Sequence, residues 1–161
     1  MDRHGIKRCW PSDHYMPWWH TGAAGGAAWP WLGAALAKTN KIAIGTGVTA
    51  PILRYNPAIV AQVFATLGYM FPCRVFFGLG TGESLNEVPA GSAWLSNHER
   101  LERLEEAIKL LWVEEWVTFQ GKYYQVKDQT STQNWRSQSR YTSLALARRP
   151  QGWTVRKQMA L

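Results

Sequence analysis

The sequence has little cysteine and no long apolar run. Its 161 residues include two cysteines, Cys9 and Cys73, and neither belongs to a CxxC pair, so we expect two reduced thiols. No metal site is predicted, because His14 and His20 lack further ligands. No stretch of about 18 apolar residues is present, and residues 1–10 do not form the apolar core of a signal peptide. We therefore expect a cytoplasmic chain with no membrane partner.

Acidic residues are also fewer than basic ones, and one end of the chain has none. The chain has a net charge of +7, yet residues 129–161 contain six basic residues and no acidic one, while residues 12–128 sum to about −1. Nucleic-acid binding would require a basic face on the folded part, and we expect no nucleic-acid partner. The charge instead divides the chain into a nearly neutral centre with basic ends.

Apolar patterns in the centre predict an α/β fold. Helical spacing predicts helices over residues 28–38, from Asn56-Pro57 to about Gly68, and after the capping box at residues 96–99. Continuous apolar runs predict buried strands over residues 41–48 and 74–80, and alternation over residues 116–127 predicts a hairpin. Strand, helix and strand within about 40 residues form a βαβ unit with parallel strands. Beyond residue 128 no period predicts structure.

The residues with reactive side chains fall where predicted strands end. Residues 47–49 follow the first of these strands and residues 81–87 the second, and Asp13-His14 should follow an earlier strand whose body is missing. Active sites of parallel α/β proteins lie at the carboxyl ends of the strands. We therefore expect these three segments to form one site.

Several motifs in order make the sequence resemble a known family. These are Ser12-Asp13-His14 with Pro17-Trp18, Gly45-Thr46-Gly47-Val48, the run over residues 54–62, and Gly80-Thr81-Gly82-Glu83 with Leu85-Asn86-Glu87. Over residues 12–128 the sequence resembles the coenzyme F420-dependent oxidoreductases of the luciferase-like superfamily. The resemblance implies a partial (β/α)8 TIM barrel of the bacterial luciferase-like type, covering roughly strands 2 to 4. It also implies a cis peptide between Gly47 and Val48.

The resemblance assigns a role to three side chains. His14 is expected to take the hydroxyl proton of an alcohol or sugar-phosphate substrate while hydride moves to the deazaflavin, coenzyme F420. Histidine is the usual proton acceptor near neutral pH, although a lone histidine is more often structural. Trp18 is expected to wall the pocket, where the alternative is a core tryptophan. Glu83 is expected to be a proton donor or hydrogen-bond partner at the coenzyme ring, which requires a buried carboxyl with a raised pKa. The alternative is a solvated loop carboxylate.

The resemblance also predicts the coenzyme contacts. Polar contacts are expected from Asp13 and Asn86, and backbone contacts from Thr46, Gly47, Val48, Gly80, Thr81 and Gly82. FMN is the alternative coenzyme, in which case the chain would be a flavin-dependent monooxygenase. A third alternative is a catalytically inactive remnant that binds neither coenzyme. Full-length members of the family are expected to be homodimers.

The resemblance stops near both ends of the chain. Residues 1–11 and 129–161 do not match the family, and the remaining barrel strands are not found, so we expect a fragment. Codons exist for residues 133–153 that, read two bases along, encode a strand, a Gly-Pro turn and a helix like those of the family. We hypothesise that the tail is an out-of-frame translation, which DNA sequencing across codons 125 to 135 would test.

Overall fold

The fold is built from short strands and helices that alternate along the chain. A computed structural model describes residues 4–19, 22–111, 117–129, 144–146 and 154–155. The elements are β1 (Arg8–Cys9), α1 (Ala28–Ala37), β2 (Ala43–Thr49), α2 (Pro57–Met70), β3 (Val75–Leu79), α3 (Ser84–Glu87), α4 (Asn97–Leu111), β4 (Val117–Gln120), β5 (Gln125–Gln129), β6 (Leu144–Leu146) and β7 (Thr154–Val155).

A parallel sheet forms the centre of the described residues. Its strand order is β1-β2-β3-β6-β7, and all neighbours are parallel except β7, which runs antiparallel to β6. The strands β4 and β5 form a separate antiparallel hairpin. Because the first three strands run in the same direction, the segments that follow them emerge at one edge of the sheet.

The close pairing of β2 with β3 depends on glycine. A Cβ atom added to Gly45 would lie 2.0 Å from the carbonyl oxygen of Phe76, and one added to Gly78 would lie 2.3 Å from that of Thr46. Both distances are far inside van der Waals contact with backbone atoms, which cannot rotate away. The apolar run with interspersed glycines therefore allows these two strands to approach each other in this register.

Helices α1, α2 and α4 contribute to one apolar core with the sheet. Its buried side chains are Leu32, Leu36, Ile42, Ile44, Ile52, Val60, Phe64, Leu67, Val75, Phe77, Leu79, Leu104 and Ala107. Phe64 of α2 stacks on Phe77 of β3 with ring centroids 3.9 Å apart. Helix α2 begins as its sequence predicts, because Asn56 caps it by accepting a hydrogen bond from the Ala58 amide at 2.9 Å.

The hairpin is attached to the core through α4. Glu106 of α4 accepts hydrogen bonds from the backbone amides of Lys122, Tyr123 and Tyr124 in the turn of the hairpin. Tyr124 also donates its hydroxyl to the carbonyl of Ile52 at 2.7 Å. The turn is therefore held from two sides, and the hairpin lies beside the sheet without joining it.

The predicted helices, the two buried strands and the hairpin are confirmed to within a few residues. The strand expected to end before Asp13 is found as the two-residue strand β1, which pairs with β2 through Arg8 and Cys9. The short helix α3 and the strands β6 and β7 were not predicted, because segments of two to four residues show no period. The division of the chain at residues 11 and 128, and the out-of-frame tail, stay predictions. Among the described residues, no helix is long and apolar enough to cross a membrane.

Candidate active site

The segments that follow β1, β2 and β3 meet around one cavity. Its volume is about 420 Å³, within the range of small-molecule sites. The lining residues are Ser12, Asp13, His14, Trp18, Gly47, Val48, Ala50, Arg54, Gly80, Thr81, Gly82, Glu83, Asn86 and Glu87. The strand ends therefore converge as the sequence predicts, and His14 and Glu83 face a shared space.

Thr46 is the one predicted site residue that does not line this cavity. Its side chain is buried, and its hydroxyl donates to the carbonyl of Gly78 at 3.3 Å. Thr46 lies within β2, before the strand reaches the cavity, so its side chain serves the pairing of β2 with β3. The other ten predicted residues are brought together.

His14 lies between an acidic and an aromatic side chain. Its Nε2 atom is 3.4 Å from Oε2 of Glu83, and its ring stacks on Trp18 with centroids 4.8 Å apart and planes inclined by 25°. The Nδ1 atom is buried and has no hydrogen-bond partner. Only 15% of the His14 side chain is exposed, so the imidazole is held in one orientation with one ring nitrogen unused.

Glu83 lies at the mouth of the cavity. Its side chain is 53% exposed, so the burial expected for this carboxyl is not found among the described residues. Glu83 follows Gly82, which has a φ of +80°, and precedes the short helix α3. Besides His14, the Oε2 atom of Glu83 accepts a hydrogen bond from Nδ2 of Asn86 at 3.3 Å.

Asn86 connects two of the converging segments. Its Oδ1 atom accepts hydrogen bonds from the backbone amides of Tyr15 at 2.9 Å and Met16 at 3.1 Å. The side chain is buried although the residue lies on a loop-like four-residue helix. Asn86 therefore fixes the backbone just after His14, in addition to lining the cavity.

The peptide between Gly47 and Val48 forms part of the cavity wall. It is cis, which confirms the expectation drawn from the resemblance. Val48 lies against the end of β3, where a Cβ atom on Gly80 would be 2.5 Å from its Cγ2 atom. The glycine at position 80 therefore leaves the space that the Val48 side chain occupies.

A buried ion cluster includes Asp13, the chain neighbour of His14, together with Arg54, Tyr55 and Glu87. Arg54 is 3.1 Å from Oε1 of Glu87 and 3.4 Å from Oδ2 of Asp13, and its Nη2 atom also donates to the Asp13 carbonyl. Tyr55 donates its hydroxyl to Oδ1 of Asp13 at 3.0 Å. Burial raises the pKa of the Glu87 carboxyl, an effect that the nearby Arg54 opposes. Burial likewise raises the pKa of Tyr55.

Arg54 and Glu87 are cavity residues for which the sequence predicted no role. Both belong to the motifs that carry the family resemblance, and Glu87 also lies in the segment that follows the second predicted strand, yet no role was assigned to either side chain. Their separation of 33 residues hides the pairing. One signal could have indicated the pair: an arginine and a glutamate both occur beside segments predicted to be buried, and a buried charge requires a partner of opposite sign.

The cavity lining combines apolar and polar groups, as small-molecule sites do. One wall is formed by the backbone of glycines and by Val48 and Ala50, which leaves an apolar surface, while polar groups gather at His14 and Glu83. The unpartnered Nδ1 of His14 and Oε2 of Glu87 remain for a polar ligand group. No group of three metal-binding side chains occurs within the part of the chain that is described.

Comparison with known proteins gives consistent matches. A sequence profile described as luciferase-like monooxygenase matches residues 1–150. The F420-dependent glucose-6-phosphate dehydrogenase of Nakamurella multipartita is 48% identical over 132 residues, which cover 80% of this chain and 39% of that protein. The enzyme of the same name from Microbacterium testaceum is 51% identical over 129 residues, covering 78% and 38%. The chain thus spans about two-fifths of the length of the curated relatives it matches.

Solved structures share the same architecture. An F420-dependent secondary alcohol dehydrogenase in complex with an F420-acetone adduct superposes with a TM-score of 0.79 and 42% identity, covering 83% of this chain and 42% of its own. The coenzyme F420-dependent tetrahydromethanopterin reductase of Methanopyrus kandleri gives a TM-score of 0.75 at 20% identity, covering 92% of this chain and 44% of its own, and this likeness supports the fold alone.

Proposed function

The chain belongs to the luciferase-like monooxygenase family with a partial TIM-barrel fold, and we propose that it is part of a coenzyme F420-dependent oxidoreductase. Its reaction is hydride transfer from the carbon of an alcohol or a sugar phosphate to the deazaflavin. Relatives at about half sequence identity are named F420-dependent glucose-6-phosphate dehydrogenases, and this supports F420 over FMN as the coenzyme.

One observation carries the proposal, which is the pair formed by His14 and Glu83 in a cavity. The two side chains come from segments after different strands, and their Nε2 and Oε2 atoms are 3.4 Å apart. An imidazole beside a carboxylate can accept a proton and hold the resulting charge. A dehydrogenase needs such a group, because the substrate hydroxyl loses its proton as the carbon loses hydride.

Each cavity residue is assigned a separate role in the reaction. A bound deazaflavin supplies the carbon that accepts the hydride. His14 takes the hydroxyl proton of the substrate, and the Glu83 carboxylate balances the positive charge of the imidazolium. Trp18 stacks on the imidazole and limits its rotation. The cavity residues Gly47, Val48, Gly80, Thr81 and Gly82 would hold the coenzyme, with Asn86 as a polar contact.

Asp13 lines the cavity and also supports His14. Its Oδ1 atom accepts a hydrogen bond from Tyr55, whereas its Oδ2 atom, 3.4 Å from Arg54, has no hydrogen-bond partner. Asp13 therefore keeps an oxygen for a polar contact with the coenzyme, in addition to the backbone that it shares with His14.

Coenzyme titration of the 161-residue chain tests the proposal. Addition of F420 is expected to quench tryptophan fluorescence in a saturable way, while FMN at equal concentrations is expected to have little effect. Saturable binding of FMN alone would favour a flavin-dependent monooxygenase, and binding of neither coenzyme would favour an inactive remnant. Either result would contradict the proposal.

A pair of histidine variants tests the role of His14. With glucose-6-phosphate or a secondary alcohol as substrate, His14→Ala is expected to lower the rate of F420 reduction by about 100- to 10,000-fold, the usual contribution of a general base. The matched control is His98→Ala, which removes a side chain that is 84% exposed on α4 and does not line the cavity. Equal rates for the two variants would exclude His14 as the proton acceptor.

A further inference from the structure

The backbone around His14 is fixed on both sides by buried side chains. On the amino-terminal side, Arg54 donates to the carbonyl oxygen of Asp13. On the carboxyl-terminal side, Asn86 accepts from the amides of Tyr15 and Met16. The only residue between these two attachments is His14, so its position follows from theirs.

The attachment through Arg54 depends in turn on Glu87. The Arg54 and Glu87 side chains are 8% and 1% exposed, and their Nη1 and Oε1 atoms are 3.1 Å apart. A buried guanidinium requires an acidic partner, because an unpaired charge in this environment costs several kcal/mol. The guanidinium has two such partners, and Glu87 makes the closer contact while the Asp13 carboxylate lies 3.4 Å away. Glu87 therefore helps to keep Arg54 in place at the point where it reaches the Asp13 carbonyl.

The cluster is poorly explained as a device for stability. Oδ2 of Asp13 and Oε2 of Glu87 are buried and lack hydrogen-bond partners, so the cluster bears the cost of desolvation without satisfying all its acceptors. Buried ion pairs seldom stabilise a fold better than apolar side chains of equal size. A different role for the cluster follows from its contacts, because Arg54 donates to the backbone carbonyl of Asp13, the residue next to His14.

We propose that Arg54 and Glu87 are positioning residues, which hold the Asp13–His14 peptide so that the imidazole stays between Trp18 and Glu83. The proposal deepens the proposed function and rests on it for the consequence in catalysis. The geometric part concerns the chain alone, because the position of His14 can be measured without coenzyme or substrate.

Chemical labelling of histidine measures that position directly. Diethyl pyrocarbonate modifies accessible imidazole nitrogens, and mass spectrometry of peptides gives the rate at each histidine. In the unaltered chain, His14 is expected to react slowly and His98 rapidly, since their side chains are 15% and 84% exposed. In Arg54→Met and Glu87→Gln, the rate at His14 is expected to rise toward that at His98, with the larger rise in Arg54→Met.

A core variant separates positioning from loss of stability. Val60→Ala removes two methyl groups from a fully buried side chain on α2 that has no polar atom and takes no part in the hydrogen bonds and ion pairs of the cluster. It is expected to lower the melting temperature while leaving the labelling ratio of His14 to His98 unchanged. Arg54→Lys keeps the charge and is expected to restore part of the protection lost in Arg54→Met. An unchanged ratio in both cluster variants, or an equal rise in Val60→Ala, would overturn the proposal.

Coenzyme measurements on the same variants keep the two proposals distinct. If the unaltered chain binds F420, Glu87→Gln is expected to slow hydride transfer by about 10- to 100-fold, as small misplacements of a reacting group do. If the unaltered chain fails to bind F420 while the labelling pattern holds, the proposed function is wrong and the positioning role stands. If F420 binds and the labelling ratio does not change, the positioning role is wrong.

Discussion

Replacing Glu87 by glutamine tests the buried ion cluster through the pH dependence of stability. The Glu87 side chain is 1% exposed, and burial raises the pKa of its carboxyl above the ordinary value of 4.5. The folded chain therefore holds this proton more tightly than the unfolded chain does. The stability that the proton contributes is complete below pH 4.5 and is lost as the pH rises through the raised pKa. Glutamine carries no such proton, so this dependence should vanish in the variant.

The magnitude follows from one titrating group. Between the ordinary and the raised pKa, the free energy of unfolding of the unaltered chain should fall relative to that of Glu87→Gln by at most about 1.4 kcal/mol per pH unit. Below this window the difference should be constant. Urea unfolding followed by far-UV circular dichroism, repeated at half-unit steps from about pH 4 to about pH 8, would measure this difference in the free energy of unfolding.

Val60→Ala is the control for this series, because it lowers stability without removing a titrating group. Its free energy of unfolding should run parallel to that of the unaltered chain at every pH. Parallel curves for Glu87→Gln as well would refute the reasoning. So would a difference of opposite sign, with the unaltered chain gaining stability over the variant as the pH rises, since the pull of Arg54 would then exceed the effect of burial.

Substitutions at three further positions test the fold that supports the site. Gly78→Ala should prevent the close approach of β2 and β3, since its Cβ would lie 2.3 Å from a backbone oxygen, and circular dichroism should show loss of the native fold. Phe64→Ala removes a ring that is 3% exposed and stacked on Phe77, and should lower the free energy of unfolding in urea by about 3 to 5 kcal/mol. Asn56→Ala removes the cap of α2 and should cost about 1 kcal/mol in the same assay, whereas Asn56→Ser should cost much less.

The elements with enough residues to show a period could be predicted from the sequence. Helix α2 has 14 residues, a capping asparagine and a proline in its first turn, and strand β2 has seven residues of an apolar run. The strand β1 has two residues and depends on its partner β2 for its conformation. A pattern cannot indicate a strand of that length, because its hydrogen bonds lie with residues more than 30 positions away.

The candidate site divides in a similar way. His14 and Glu83 could be found because each follows a strand, and the direction of the strands brings their ends together. The pairing of the buried charges could not be predicted, because the sequence gives no distance between Arg54 and Glu87. The exposure of Glu83 was also beyond prediction, since it depends on the path of the chain after Gly82.

Helix α3 explains why the site needs two adjacent polar residues on one short turn. Successive residues of a helix point about 100° apart, so neighbours on one turn reach different parts of their surroundings. Asn86 reaches the loop after β1, and Glu87 reaches Arg54 in the segment after β2. A single turn after β3 therefore connects the segments after all three strands, and it also places Glu83 at its amino-terminal end. Exchanging the two residues would point each polar group away from its partner, although the composition of the turn would be unchanged.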